Sequence, residues 1–359
     1  MQYHMIIVLQ SENPSVDIWV DSVSLQPFTP EEWKSHQYQS IEKIRRSRVK
    51  IQAVNGEGKP QANKTLIIAQ KFARFPFGCA INKNILYNQA YKNWFISRFK
   101  YTTFENEMKW YTNEPSQNRE DYTAADALLQ FAKSNGVSVR GHNVLWDATK
   151  FQPNWVSNLG PSQLAAAATA RIKSVIRRYS GQVIAWDVVN ENLHNNFFES
   201  KLGVTASSKF YMMARALDRT AALFLNDYNT IEWTKPLHLI AEYLDQVLRE
   251  AHAHPAVNGI VLWSAWSPQG CYRMCLTDNN FKNLPTGDVV DKIIREHFNA
   301  VVTATTDLDG FYETSLIHGD YEVSFADKYE SEKQVKFQRM SHQFKVEASE
   351  DTLHVKILA

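Results

Sequence analysis

The chain has 359 residues, 44% of them hydrophobic and 21% charged, ordinary values for a globular protein with a sizeable core. Its formal net charge is +1, so composition gives no electrostatic reason to expect nucleic acid or an anionic membrane as a partner. Three cysteines make neither a disulfide framework nor a metal-ligand spacing; Cys271 and Cys275 either bridge or leave a thiol free.

The chain opens with MQYHMIIVLQSENP, which has no Lys or Arg and only a five-residue apolar run. It fits neither a signal peptide nor a membrane span. Residues 1–28 include VDIWVDSVSLQPF, alternating and β-rich like the last strands of a sandwich. Residues 29–48 are charged (EEWKSHQYQSIEKIRRSR) and read as a linker or short helix. Residues 49–73 carry two alternating runs around a Gly/Pro turn, a hairpin signature.

From 74 to 300 the grammar changes. Short apolar runs (FPFGCAI, YTTFENEM, VSVRGHNVLW, QVIAWDVVNE, AALFLNDY, NGIVLWSAW) are separated mostly by helix-like stretches. Thr123 and Asp126 have capping-box spacing before a helix in which Leu128, Phe131 and Ala132 share a face, with Gly136 as its C′ residue. SQLAAAATARIKSVIRRYSG is a second helix, with a basic last turn that suits its dipole. Residues 301–359 return to β: TTDLDGFYETSLIHGDYEVSFA, then KQVKFQ, HQFKVEA and TLHVKIL. Residues 49–73 and 301–359 are expected to form two parts of one small sandwich with the middle region inserted between them, since each has one apolar face to cover.

Polar residues gather at the ends of several different runs: Glu105, Asn106 and Lys109; His142 and Trp146; Asn190 and Glu191; Asn226 and Asp227; Trp263 and Trp266. An open doubly wound sheet concentrates function at one switch point beside a glycine-rich turn, which is absent here. A closed barrel collects all its strand ends at one mouth, so the expected class is α/β with a (β/α)8 TIM-barrel-type domain. Taken singly, a strand-end glutamate is ordinarily a surface group and a strand histidine a core one. Only the constellation singles them out.

TTFENEMKW, RGHNVLWD, WDVVNE, FLNDYNTIE and GIVLWSAW, in this order, resemble the strand signatures of family 10 glycoside hydrolases, the endo-1,4-β-xylanases, in their plant form. The resemblance covers roughly residues 70–300. It implies that Glu191 is the general acid/base, and that Asn106, Lys109, His142, Trp146 and Asn190 line the sugar subsites beside it. Trp263 and Trp266 would then be stacking platforms. It further implies xylan or xylo-oligosaccharides as substrate, no cofactor or metal, no protein partner and an extracellular or cell-wall location, although the N-terminus does not read as a signal peptide. Residues 1–28 resemble the tail of the jelly-roll carbohydrate-binding module that precedes plant xylanase barrels.

The chemistry accounts for these residue types. A glycosidic oxygen is a poor leaving group and needs an acid to protonate it as the bond breaks. A carboxyl in a partly apolar pocket keeps its proton towards neutral pH. A retaining enzyme also needs a nucleophilic carboxylate about 5–5.5 Å away.

The family's Thr-Glu-(Leu/Val)-Asp-like nucleophile motif is not found, nor is the histidine segment that would precede it. A helix-like AEYLDQVLREA follows FLNDYNTIE almost at once. Six strands are therefore expected instead of eight, in a sheet that either closes differently or stays open. Asp147, Asp227 and Glu232 are the substitute nucleophiles that the residues offer. Three readings stay open: an impaired xylanase-type hydrolase, a non-catalytic xylan-binding pseudoenzyme, and a product of aberrant splicing or gene prediction.

Overall fold

The structure, a computed structural model, describes residues 28–227, 240–263, 265–270, 275–326 and 341–358. Among the described residues thirteen strands run in chain order: β1 Arg46–Val54, β2 Thr65–Ala73, β3 Phe77–Cys79, β4 Tyr101–Thr103, β5 Ser138–Trp146, β6 Ala185–Asn190 and β7 Ala222–Asn226 come first. They are followed by β8 Ile260–Leu262, β9 Val301–Thr305, β10 Phe311–Ile317, β11 Gly319–Phe325, β12 Ser341–Val346 and β13 Leu353–Leu358.

Six of these make one sheet in the order β7-β6-β5-β4-β3-β8, with every pairing parallel. All six fall within the runs read as barrel strands. The sheet is a partial barrel: among the described residues β7 and β8 do not pair with each other, so it stays open. The middle strands are mostly buried, as strands of a covered parallel sheet are, and the polar side chains they carry are paired, Arg140 and His142 of β5 with Asp187 of β6. Every residue of β6 is buried, and Trp186, its second residue, lies over Gly141 of β5. A β-carbon at Gly141 would collide with the indole ring, so glycine is what lets the two strands pack.

The helix Pro161–Tyr179 buries Leu164, Ala168, Ile172, Val175 and Ile176, one stripe at helical spacing. Gly136, at φ +63°, follows the helix Thr123–Ser134 as expected. The capping box at its start does not form. Thr123 is already helical, and Asp126 is drawn away to Arg178 and the Tyr179 hydroxyl.

Residues 30–45, within the stretch read as a linker or short helix, are a helix of 16 residues opened by a capping box between Thr29 and Glu32. It packs on the helix Ile240–Ala253. Gln37 donates to Glu250 at 3.0 Å, and Arg45 donates to the carbonyls of His252 and His254.

The remaining strands form a three-stranded sheet, β10-β1-β13, and a four-stranded one, β12-β11-β2-β9. Val49 and Ile51 of β1, Leu66 and Ile68 of β2, Val323 of β11 and Val355 of β13 meet in one apolar cluster. Residues 1–27 and the run KQVKFQ lie outside the described residues. Cys79 is a free buried thiol and Cys275 is disulfide-bonded; Cys271 lies outside the described residues.

Candidate active site

The C-terminal ends of the parallel strands open onto a cleft of about 870 Å³. Glu105, Asn106, Lys109, His142, Trp146, Glu191, Asp227 and Trp263 line it, together with Tyr111, Phe151 and Asn226. The sheet therefore brings together six of the eight residues singled out in the sequence as acid/base or sugar-binding groups.

Glu191 follows the last residue of β6 and has a left-handed backbone, φ +59°. That conformation costs a non-glycine residue on the order of 1–2 kcal/mol. Two bonds hold it. The Glu191 N–H donates to the Asn226 carbonyl at 2.7 Å, and the Asn195 side chain donates to the Glu191 carbonyl at 3.0 Å. The turn aims the carboxylate at β5, where Oε2 accepts the Trp146 indole N–H at 2.8 Å.

Lys109 follows β4 and is only 4% exposed. Its ammonium lies 4.3 Å from the Trp146 ring centroid and 5.3 Å from that of Trp263. Burial lowers its pKa to about 8 against the opposing pull of Glu191, Glu105 and Glu107. Nζ approaches Asn106 Oδ1 at 3.5 Å, and the Tyr111 hydroxyl donates to that same oxygen at 2.8 Å.

His142 sits inside β5, with Nδ1 2.9 Å from Asp187 Oδ2 on β6. A carboxylate only accepts, so Nδ1 carries the proton. Arg140 donates to both oxygens of the same carboxylate through Nε. Burial pushes the His142 pKa down, and the Asp187 bond only partly offsets it. Trp263 stands edge-on to the imidazole at 5.2 Å and is 48% exposed, so its ring is available to a ligand.

Two of the expected residues are elsewhere. Trp266 is no platform: it is 8% exposed, packs among Tyr91 and Phe281, and donates its indole N–H to Asn279. The β8 strand ends at Leu262, so spacing along the strand no longer governs where residue 266 points. Asn190 is buried behind the turn, its side-chain oxygen accepting from Asn226 at 2.7 Å.

The substitute carboxylates are occupied or set back. Asp227 accepts from the Leu193 N–H at 2.7 Å and bonds His194 Nδ1 at 2.6 Å, clamping the turn that carries Glu191. Asp147 is fully buried and accepts from the Phe198 N–H at 2.8 Å. Burial raises its pKa to about 6, helped by the charge of Glu199 and opposed by the backbone N–H groups of Phe198 and Phe197. Glu232 lies outside the described residues.

A match to the Glycosyl hydrolase family 10 model spans residues 65–260, more than half of the chain. The chain belongs to this family. An endo-1,4-beta-xylanase 5-like protein of Arabidopsis thaliana is 37% identical over 393 residues, covering 89% of this chain and 69% of the relative. The endo-1,4-beta-xylanase 4 of the same plant is 31% identical, covering 95% of this chain and 73% of its own. Among solved structures, xylanase 10B from Thermotoga maritima has a TM-score of 0.53 at 20% identity, covering 62% of this chain and 97% of that one. Xylanase 10B from Thermotoga petrophila, solved with xylobiose, has a TM-score of 0.54 at 19% identity, covering 62% and 94%. At these identities the structures speak for the fold: a (β/α)8 barrel, of which the described residues form a six-stranded part.

Three contributors to this family 10 cleft went unnoticed in the sequence. Tyr111 and Phe151 flank Trp146, and the Phe151 ring stacks on it at 3.8 Å. Arg171, 1% exposed on the helix Pro161–Tyr179, donates to the Val144 and Asn143 carbonyls and the Asn113 side chain, and also to the Met108 carbonyl. It thereby ties the segment bearing Lys109 to the strand bearing His142. The available signal was a lone arginine on the apolar face of an alanine-rich helix, where a charge needs a buried set of acceptors.

Among the described residues no group of three His, Cys, Asp or Glu side chains is placed to hold a metal ion, and no helix is long and apolar enough to cross a membrane.

Proposed function

We propose that this chain is an endo-1,4-β-xylanase-type hydrolase that binds xylan or xylo-oligosaccharides in the cleft. Glu191 supplies the general acid/base, and turnover is impaired for want of a nucleophile. The observation that carries this reading is the Glu191 carboxylate held against the Trp146 indole in a cleft shared with Lys109, His142 and Trp263. In this reading Glu191 protonates the glycosidic oxygen, amide and ammonium groups fix sugar hydroxyls, and Trp263 covers an apolar sugar face. Xylan as ligand is supported by the names of the relatives and by the xylobiose complex of the Thermotoga petrophila enzyme.

Three observations support impairment. Among the described residues the sheet is open between β7 and β8, where the family's barrel has further strands. The match to the Arabidopsis relative extends over 393 residues yet draws on 89% of this 359-residue chain, so this chain is the shorter of the two within the matched span. The carboxylates beside Glu191 in the cleft are engaged, Glu105 by Asn82 and Asp227 by Leu193 and His194. The same observations favour a second reading, a xylan-binding protein without catalysis.

For the flanks, we read β1–β2 and β9–β13 as one small sandwich into which the barrel region is inserted. Their common apolar cluster supports this.

The test is xylan hydrolysis by the wild type, by Glu191→Gln, and by a chimera that takes the stretch between β7 and the helix Ile240–Ala253 from the Arabidopsis relative. The expected result is negligible turnover in the wild type and clear turnover in the chimera, which Glu191→Gln lowers by about 10²–10⁴-fold. Robust wild-type turnover that Glu191→Gln abolishes would mean that another carboxylate attacks. Failure of the wild type to bind xylohexaose would overturn xylan as the ligand.

A further inference from the structure

Tyr111 has no role in the reading above, yet its hydroxyl points at one of the cleft's polar groups. Asn106 is solvent-exposed at the cleft, and a carboxamide there has two ways to face: oxygen inward, or N–H₂ inward. The neighbours decide between them. An ammonium only donates, so the Asn106 atom turned towards Lys109 is the oxygen. The Tyr111 O–H donates to that oxygen at 2.8 Å, against 3.5 Å for Lys109 Nζ, which makes the tyrosine the main tether. All hydrogen bonds of this carboxamide to described residues fall on its oxygen. The tyrosine ring lies beside Trp146 and Phe151, its centroid 6.4 Å from each, and these contacts favour the orientation that brings its hydroxyl to Asn106.

We infer that Tyr111 is a positioning residue for sugar recognition: with Lys109 it locks the Asn106 carboxamide oxygen-inward, presenting both amide N–H donors to a hydroxyl or ring oxygen of a xylose unit in the cleft. The inference rests on the reading of the cleft as a xylan groove and adds a determinant which that reading leaves out. The physical gain is preorganisation. An exposed asparagine that samples several rotamers must be ordered when a sugar binds, whereas a tethered one is ordered beforehand. One such oriented hydrogen bond is worth about 1 kcal/mol, or roughly fivefold in affinity.

The experiment pairs two measurements on the full chain: xylohexaose affinity by calorimetry, and the Asn106 side-chain amide signals by ¹H–¹⁵N NMR without ligand. Wild type, Tyr111→Phe, Asn106→Ala and the double variant are compared. Tyr111→Phe keeps the ring and its packing, so the melting temperature is expected to stay unchanged while affinity falls about fivefold. Its unliganded Asn106 amide signals should move to the positions of a mobile carboxamide. In the double variant the loss should equal that of Asn106→Ala alone, because Tyr111 acts only through Asn106. Unmoved Asn106 signals in Tyr111→Phe, or losses that simply add, would overturn the inference. A wild type that fails to bind xylohexaose overturns the xylan reading instead, and the NMR comparison still decides whether the tether exists.

Discussion

Strands β6 and β7 are consecutive parallel neighbours, both short apolar runs that end in asparagine, yet they live in different surroundings. All six residues of β6 are buried. In β7, Phe224 is 39% and Leu225 49% exposed. β6 has β5 on one side and β7 on the other, whereas β7 has only β6 among the described residues. An apolar run records how a strand is built to be covered, and the neighbours present decide whether it is. The exposed strand still serves the site. Its Asn226 takes the Glu191 N–H on its carbonyl and bonds the Asn190 side chain through its amide. The turn carrying the proposed acid is thus moored to the least protected strand of the sheet, the kind of edge that opens first.

Replacing Trp186, the largest buried side chain of β6, by alanine tests the protected side of this contrast. Loss of so large a ring from a packed core is expected to cost about 3–5 kcal/mol in urea denaturation. A loss below about 1 kcal/mol would break the claim that β6 is a core strand.

A second test concerns Asp147, which joins the end of β5 to the segment beyond Glu191. Its N–H donates to the Asn190 carbonyl, and its own carbonyl and carboxylate accept from Phe197 and Phe198. Its folded pKa, about 6, lies above the ordinary 3.8, so the folded chain holds this proton more tightly than the unfolded one. Its contribution to stability is therefore largest below the ordinary value, declines as pH rises towards about 6, and is level above that. Asp147→Asn should remove this decline, seen as a flatter pH profile of the urea midpoint than the wild type's. Parallel profiles would show that Asp147 titrates as an ordinary surface acid.

The smallest effect is expected on β7. Phe224→Thr removes a half-exposed ring and the contact of the Arg140 guanidinium, 4.4 Å from its centroid. The cost should stay below about 1 kcal/mol. A cost approaching that of Trp186→Ala would mean that β7 is covered in solution, erasing the contrast.

The parts legible in the sequence are those set by local pattern. Six parallel strands lie within the six short, largely apolar runs, because a strand inside a covered sheet is mostly apolar. Glu191, His142 and Lys109 were readable as a constellation, since each belongs to a different run, Glu191 and Lys109 at or just beyond its end and His142 within it. Trp266 was misjudged because it lies beyond the end of β8, where strand alternation no longer applies. Thr123 was taken for a cap because its spacing fits, but spacing does not reveal that Asp126 has Arg178 and Tyr179 as stronger partners. The helix Pro30–Arg45 could be read as a linker or a short helix because its buried face is narrow, with Gln37 and Ile41 as its buried residues.

By itself, then, the order of residues determined the strand–helix alternation, the family motifs and the chemical types gathered at the mouth, all of which depend on neighbours along the chain. Tertiary structure alone decided that the sheet stays open among the described residues, that Glu191 takes a left-handed turn held by β7, and that Tyr111 and Lys109 converge on one asparagine oxygen. Those outcomes depend on distances between segments far apart in sequence, which packing and hydrogen-bond geometry set and local pattern does not encode.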